Sequence, residues 1–335
     1  MKKFFIGIDV SKRKLDLCCI AQGEIITECI VENDLRSIKT HFQEVLKNTS
    51  INVSELLICA EYTGQYTYPL SCICVDLGID LWIENPNQIK YRSGFRRGKN
   101  DKLDARMIAM YSLKFHDQAI LFSIPEAKLE SLKQLIRERD LYVVDRGKYQ
   151  GQMKDQKNFM AKDDYEKKSK RLTIIIEEFN NAIIQIEKDI QSIISNDETL
   201  LNQHRLLCSV DGIGERTAIK MIVETNAFKD FTNPRKFCCH AGVAPFEYTS
   251  GSSKHSKNRV SNQADKSIKA LLHMGALVVA ARMKGELNGY YTRKVDEGKN
   301  KMSVINAIRA KLVYRMFAVI RNNQVYQINY LNSLA

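Results

Sequence analysis

Phe4-Phe5-Ile6-Gly7-Ile8-Asp9-Val10 is the stretch on which the fold turns. It is apolar and rich in β-branched and aromatic residues, so it reads as a buried strand. A carboxylate inside such a run is expensive to bury without a purpose. Ser11-Lys12-Arg13 makes a turn, and Leu15-Asp16-Leu17-Cys18-Cys19-Ile20 follows as a second strand. A turn at Gln22-Gly23 leads to a third strand over Ile25–Val31, completing an antiparallel meander. Next come a helix from Asp34 to about Leu46, an apolar strand Leu56–Ala60 ending at Glu61, a helix over Tyr68–Leu77 and a strand over Ile79–Ile83. Three strands followed by alternating helix and strand predict a mixed α/β sheet.

Asn85–Asn100 has little periodicity and carries Lys90, Arg92, Arg96, Arg97 and Lys99, so it reads as a basic loop. A helix is expected from Asp101 to about Leu113, with Asn100 as its cap and Asp101, Lys102 and Asp104 in its first turn. The spacing of Asp101 and Asp104 puts both on one helical face. Asp9 lies in the first strand and Glu61 closes the fourth, and in a sheet of this kind those strands can be neighbours. Four carboxylates gathered in one place repel one another unless cations sit between them. Mg²⁺ takes oxygen ligands and keeps waters and substrate phosphates in its shell. Two such ions about 4 Å apart serve an attacking and a leaving oxygen. Taken singly, Asp101 and Asp104 also suit any helix start, and Glu61 any solvated strand end.

Gly7-Ile8-Asp9 also resembles the opening strand of actin-like ATPases and sugar kinases. Their phosphate loop needs small residues after the Asp, whereas Val10-Ser11-Lys12-Arg13 offers no glycine.

The chain has 335 residues, too many for one small core, with 51 Lys and Arg against 39 Asp and Glu. The net charge of +12 attracts polyanions, nucleic acid being the commonest. No apolar run approaches the ~20 residues of a membrane helix, and the start lacks a signal-peptide pattern. A cytosolic protein with its nine cysteines as thiols is expected. Cys238-Cys239-His240 is too compressed to give three ligands to one ion easily.

From about Pro125 to Leu200 glycine almost vanishes. Leu172, Ile176, Phe179, Ile183, Ile186, Ile190 and Ile193 recur at spacings of four and three, a heptad seam. Leu129, Leu132, Ile136 and Val143 give a shorter one. Two long helices joined by the polar stretch Gly147–Lys170 are expected. They would pair either between chains as a coiled coil, the reading preferred here, or within one chain as a bundle. The remainder, from Leu201, reads as mostly helical. Val210-Asp211-Gly212-Ile213-Gly214 before the helical run Glu215–Glu224 resembles a helix-hairpin-helix, whose glycine turn offers N–H groups to a phosphate. A tight turn between helices is the plainer account. The loop Ala241–Ser253 is rich in hydroxyls and is followed by Lys254, His255, Lys257 and Arg259. Its serines suit a phosphate contact, a nucleophile or simple solvation.

These residues together resemble the DEDD transposases of the insertion-sequence-110 family and their relatives the Piv-type DNA invertases. The matching pieces are Gly7-Ile8-Asp9-Val10-Ser11-Lys12, Glu61-Tyr62-Thr63-Gly64-Gln65-Tyr66, Asn85-Pro86 and Lys99-Asn100-Asp101-Lys102-Leu103-Asp104-Ala105. Val210–Gly214, Ala241-Gly242-Val243-Ala244-Pro245 and Ser250-Gly251 follow in order. The resemblance implies an α/β ribonuclease-H-like domain, similar to the Holliday-junction resolvase RuvC, over 1–124. A helical coiled-coil spacer follows over 125–200, and a mostly α C-terminal transposase domain over 201–335. It implies transposition or site-specific recombination of DNA, with Mg²⁺ held by Asp9, Glu61, Asp101 and Asp104. A nucleophilic serine matches Ser250 best by position, its neighbours Thr249, Ser252 and Ser253 remaining alternatives. It also implies a structured guide RNA from the element, donor and target DNA, and a homodimer or dimer of dimers. Residues expected to touch nucleic acid are Arg92, Arg96, Arg97, Lys99, Lys102, Gly212, Gly214, Lys254, Lys257 and Arg259. Ser261-Asn262-Gln263-Ala264 departs from the family, which has glycine where Ala264 stands. A stand-alone junction resolvase, or a nucleic-acid-binding protein without catalysis, would share parts of this pattern.

Overall fold

The computed structural model describes residues 2–49, 51–94, 100–123, 126–246, 249–250, 254–255, 259–260 and 264–327. The chain folds as two compact units, 1–124 and 125–335.

The first unit contains β1 (Phe4–Val10), β2 (Lys14–Ala21), β3 (Glu24–Glu32), α1 (Leu35–Thr49), β4 (Leu56–Glu61), α2 (Tyr68–Asp76), β5 (Asp80–Glu84), α3 (Pro86–Ser93) and α4 (Asp101–Phe115). The sheet order is β3-β2-β1-β4-β5. β1 to β3 run antiparallel, as the meander requires, and β4 and β5 add in parallel to β1. Strand alternation sorts the side chains to two faces. Ile6, Ile8, Ile58 and Ala60 pack with Ile38, Phe42, Leu70 and Ile73 beneath α1 and α2. Phe5, Leu57 and Cys59 pack with Ile108 and Tyr111, and Cys18 and Ile20 with Ala105 and Ala109, all under α4. Both faces are therefore covered by helices.

Asn85–Ser93 is not the loop that its charge predicts. Asn85 Oδ1 accepts the Asn87 N–H, Pro86 stands at the first helical position, and Ile89 is buried, so α3 forms. Charge masked a helix with a single buried residue.

The second unit opens with α5 (Ala127–Gln156) and α6 (Lys162–Ser195), an antiparallel hairpin tied across by Arg139 to Glu187 and Tyr165 to Met153 O. The joining turn is five residues, 157–161, far shorter than the expected polar stretch, and Gly147 and Gly151 lie inside α5. After it come α7 (Glu198–Cys208), α8 (Glu215–Glu224) and α9 (Pro234–His240). Four two-residue strands follow: β6 (Pro245–Phe246), β7 (Thr249–Ser250), β8 (Lys254–His255) and β9 (Arg259–Val260). α10 (Lys266–Ala281), α11 (Glu286–Asp296) and α12 (Lys301–Asn322) complete the unit.

The heptad seam is used inside the chain. Ile186 and Ile190 of the seam, with Ile194 buried where Ile193 was expected, share one core with Leu129, Leu132 and Ile136 of α5 and with the helices from α7 onward. The hairpin thus shares a core with the C-terminal helices within the second compact unit. Leu141, Val144, Ile174 and Ile184 are left exposed along its arms.

Candidate metal centre

The row Phe5-Gly7 of β1, extended by two residues, reaches Asp9. The row Leu57-Cys59 of β4 likewise reaches Glu61, and both rows face α4. Glycine at position 7 is what lets that helix settle. A Cβ there would press into the backbone of Ala105 and Ala109, at 2.6 Å from Ala109 Cα. Asp101 lies one turn before Ala105 and Asp104 immediately before it, and Asn100 Oδ1 accepts the Lys102 N–H and fixes the helix start. Arg106 pairs with Glu28 of β3, with Lys102 at 4.0 Å from the same carboxylate, which ties α4 across the sheet.

The four acids converge. Burial first, and then the charges of Asp104, Glu61, Asp101 and Asp16, push the Asp9 carboxyl from its ordinary 3.8 up to about 6. Asp16 is the member that sequence reading missed. It stands opposite Asp9 in the β1–β2 register and is 3% exposed. Carboxylate oxygens of Asp9, Asp16 and Asp101 lie within 4.8 Å of one another. Lys14 Nζ lies 2.9 Å from both Asp16 Oδ2 and Asp101 Oδ2, and these contacts raise its pKa. Apart from that ion pair, Asp16 Oδ2 has no hydrogen-bond partner among the described residues. An all-carboxylate donor set with a buried, poorly satisfied oxygen fits a small hard divalent cation. Glu84, the register partner of Glu61, is engaged elsewhere: it accepts from Tyr111 Oη at 3.0 Å and from Asn85 N at 2.7 Å.

The other expected residues are scattered. Arg92 donates to Gln118 and stacks 5.0 Å over the Phe115 ring. Arg96, Arg97, Lys99 and Lys257 lie outside the described residues. Gly212 has φ +82°, and a Cβ on it would meet Val279 Cγ2 at 2.6 Å and Gly275 O at 2.9 Å. Turn geometry and packing against α10 therefore account for that glycine. Gly214 is exposed and caps α8. Ser250 pairs with Lys254 across the β7–β8 hairpin, and Arg259 pairs with Phe246 across β6–β9.

The serine loop is clasped at its ends. Asp265 N donates to His240 O at 3.0 Å, and the side chains of Glu224, His240 and Asp265 gather within 4.8 Å. His240 and then Lys220, whose Nζ is 2.8 Å away, help to hold Glu224 at about 2. Asp265 Oδ1 also accepts the N–H groups of Ser267 and Ile268 as the cap of α10.

A β3-β2-β1-β4-β5 sheet of these strand directions, followed by a mostly helical remainder, fits a ribonuclease-H-like domain at the head of the chain. Residues 6–156 match the DEDD transposase family of the IS110 type, and residues 204–292 match the family described as Transposase IS116/IS110/IS902 family. The chain belongs to the IS110 family of transposases and is a DNA recombinase or transposase. It is 27% identical to the pilin gene-inverting protein of Moraxella bovis, over 97% of this chain and 98% of that one. It is 26% identical to the protein of the same name from Moraxella lacunata, with the same coverage. An uncharacterised protein of the insertion element IS110 from Streptomyces coelicolor is 21% identical over 47% of this chain and 39% of its own length. Among solved structures, Thermus thermophilus RuvC in complex with a Holliday junction substrate is similar at a TM-score of 0.29 and 14% identity. That match covers 36% of this chain and 99% of the RuvC chain.

Proposed function

We propose that this recombinase cuts and rejoins DNA with Asp9, Glu61, Asp101 and Asp104 as the ligands of Mg²⁺ and Ser250 as the nucleophile. The observation that carries the metal reading is the cluster of Asp9, Asp16 and Asp101 carboxylate oxygens within 4.8 Å of one another, with Asp104 and Glu61 near enough to raise the Asp9 pKa. Mg²⁺ held there would bring positive charge to a phosphodiester and favour the charged transition state of strand transfer. The protein's own contribution is positioning. β1 and β4 fix two acids by strand register, and α4 adds two more from its first turn, where its dipole favours anions. Lys14 holds charge balance between Asp16 and Asp101 until a divalent ion takes over that task.

The serine step is read from the family resemblance. The Ser250 hydroxyl gives up its proton as its oxygen bonds to phosphorus. The strand's sugar oxygen leaves and takes up a proton, and the resulting phosphoserine ester keeps the bond energy for rejoining. Basic residues near the loop (Lys254, Lys257 and Arg259) would hold the DNA backbone. A structured RNA carried by the element would supply the sequence reading. The chain would act as a homodimer or dimer of dimers, with the exposed apolar arms of the α5–α6 hairpin as the meeting surface.

One experiment tests both catalytic parts. On a nicked suicide substrate with Mg²⁺, the wild type should form a covalent protein–DNA adduct. Ser250→Ala should bind DNA and form none, and Asp104→Asn should do the same. An adduct that persists in Ser250→Ala and vanishes in Ser252→Ala would move the nucleophile. Full recombination by a variant lacking the Asp9 and Asp104 carboxylates would remove the metal tetrad.

A further inference from the structure

Arg309 of α12 is 6% exposed. A buried guanidinium stays charged, so it needs a counter-charge or a full set of hydrogen bonds. Among the described residues Arg309 has neither. Its Nη2 donates to His273 Nδ1 at 2.7 Å, and its Nη1 reaches Asn306 Oδ1 at 3.4 Å. Its Nε has no hydrogen-bond partner among the described residues. Among the described residues, burial lowers its pKa and no carboxylate acts against it.

The contact with His273 fixes that ring. Arginine only donates, so His273 Nδ1 must accept. The imidazole is then neutral, with its proton on Nε2. Burial and the neighbouring Arg309 charge also lower the His273 pKa, which agrees with a neutral ring. Nε2–H has no partner among the described residues. Lys266 and Lys269 precede His273 by seven and four residues, so the three share one face of α10. Lys266 is exposed, and Lys269 and His273 are half-buried. Asn306, one turn before Arg309, donates to Val243 O at 2.8 Å, just where the chain departs toward β6 and Ser250.

We propose that Lys266, Lys269 and His273 form a binding site for a DNA phosphodiester, with His273 as a neutral N–H donor and the buried Arg309 as the positioning residue behind it. This rests on the DNA-recombinase reading and adds to it a backbone contact that starts from α10. The phosphate supplies a negative charge that no described residue gives Arg309, and Lys269 and Lys266 follow the strand along the helix. Neutral His273 gives direction without the strong hydration of an ammonium, so it contributes geometry more than salt-sensitive attraction.

The test uses the full chain and a mixed-sequence duplex, with affinity followed by fluorescence anisotropy over a range of salt. His273→Ala should weaken binding about tenfold with little change in salt slope. Lys269→Ala should reduce the salt slope by about one counterion. Six histidines in the chain make ¹⁵N-histidine NMR tractable, with His273 assigned from His273→Gln. The wild type should show the Nε2–H tautomer, and that signal should move when duplex is added. Arg309→Met, its fold checked by thermal melting, should show a tautomer mixture at His273 and the same loss of affinity. Wild-type affinity in His273→Ala, or an unmoved signal at saturating duplex, overturns the inference alone. A signal that moves with single-stranded RNA and not with duplex overturns the choice of DNA. Failure of the wild type to bind any duplex overturns the DNA-recombinase reading and the inference with it.

Discussion

Gly7 of β1 and Ala109 of α4 touch backbone to backbone, with no room for even a methyl group between them. That contact helps bring Asp101 and Asp104, eight and five residues before Ala109, toward Asp9, two residues along β1 from Gly7. Gly7→Ala should therefore cost about 3 kcal/mol of stability or more, since the obstacle is backbone and not a movable side chain. Urea unfolding measures the loss. An unchanged midpoint would show that α4 can lift off the strand at no cost.

Asp9→Asn separates stability from activity. The folded-state pKa of Asp9, about 6, lies above its ordinary 3.8. The stability it confers is therefore complete below about pH 3.8 and is lost as pH rises through about 6. With divalent ions removed, Asp9→Asn should be more stable than the wild type at pH 7.5, by about 1–2 kcal/mol after allowing for solvent screening of a half-buried group. The difference should vanish near pH 4. Thermal melts in EDTA across this range test it, and a destabilised variant at pH 7.5 would contradict it.

Divalent-ion binding should weaken as pH falls below about 6, because protons then compete for Asp9. Isothermal titration with Mn²⁺ at pH 5 and pH 7.5 compares the two states. Equal affinities would mean that Asp9 is not a ligand.

Lys14→Gln removes the ammonium that lies 2.9 Å from Asp16 and from Asp101. Divalent ions should then bind severalfold tighter at pH 7.5, since they no longer displace a resident cation. Weaker binding in the same titration would instead make Lys14 a support for the bound state.

Val144 and Ile184 are 68% and 51% exposed on the two arms of the hairpin. Val144→Lys with Ile184→Lys should leave the melting temperature nearly unchanged and shift the protein to a smaller species in light scattering. Ile183 and Ile190 are buried within the chain, so charges placed there would test folding rather than association.

The first unit was largely legible in the sequence because its signals are local. Alternation and turn residues mark β1 to β3, and an acid inside an apolar strand marks Asp9. Asp16, between Leu15 and Leu17, carries the same signal, but only the strand register shows that it meets Asp9. α3 was hidden because lysine and arginine around Ile89 resemble a basic loop, although Asn85-Pro86 is a good helix start. The heptad seam of α6 reveals that one face is buried and says nothing about what buries it. A neighbouring helix of the same chain and a second chain impose the same period. Arg309 with His273, and Glu224 with His240 and Asp265, depend on contacts between helices distant in sequence, and no local pattern announces them.

His240 and Asp265 meet at 3.0 Å through their backbones, so the segment from 241 to 264 leaves and returns at a single point. α9 and α10 do not depend on its length. That makes the segment an interchangeable cartridge. A version longer or shorter beyond Ala244, which leaves buried Ala241 and Val243 in place, could be spliced in without re-registering the helices.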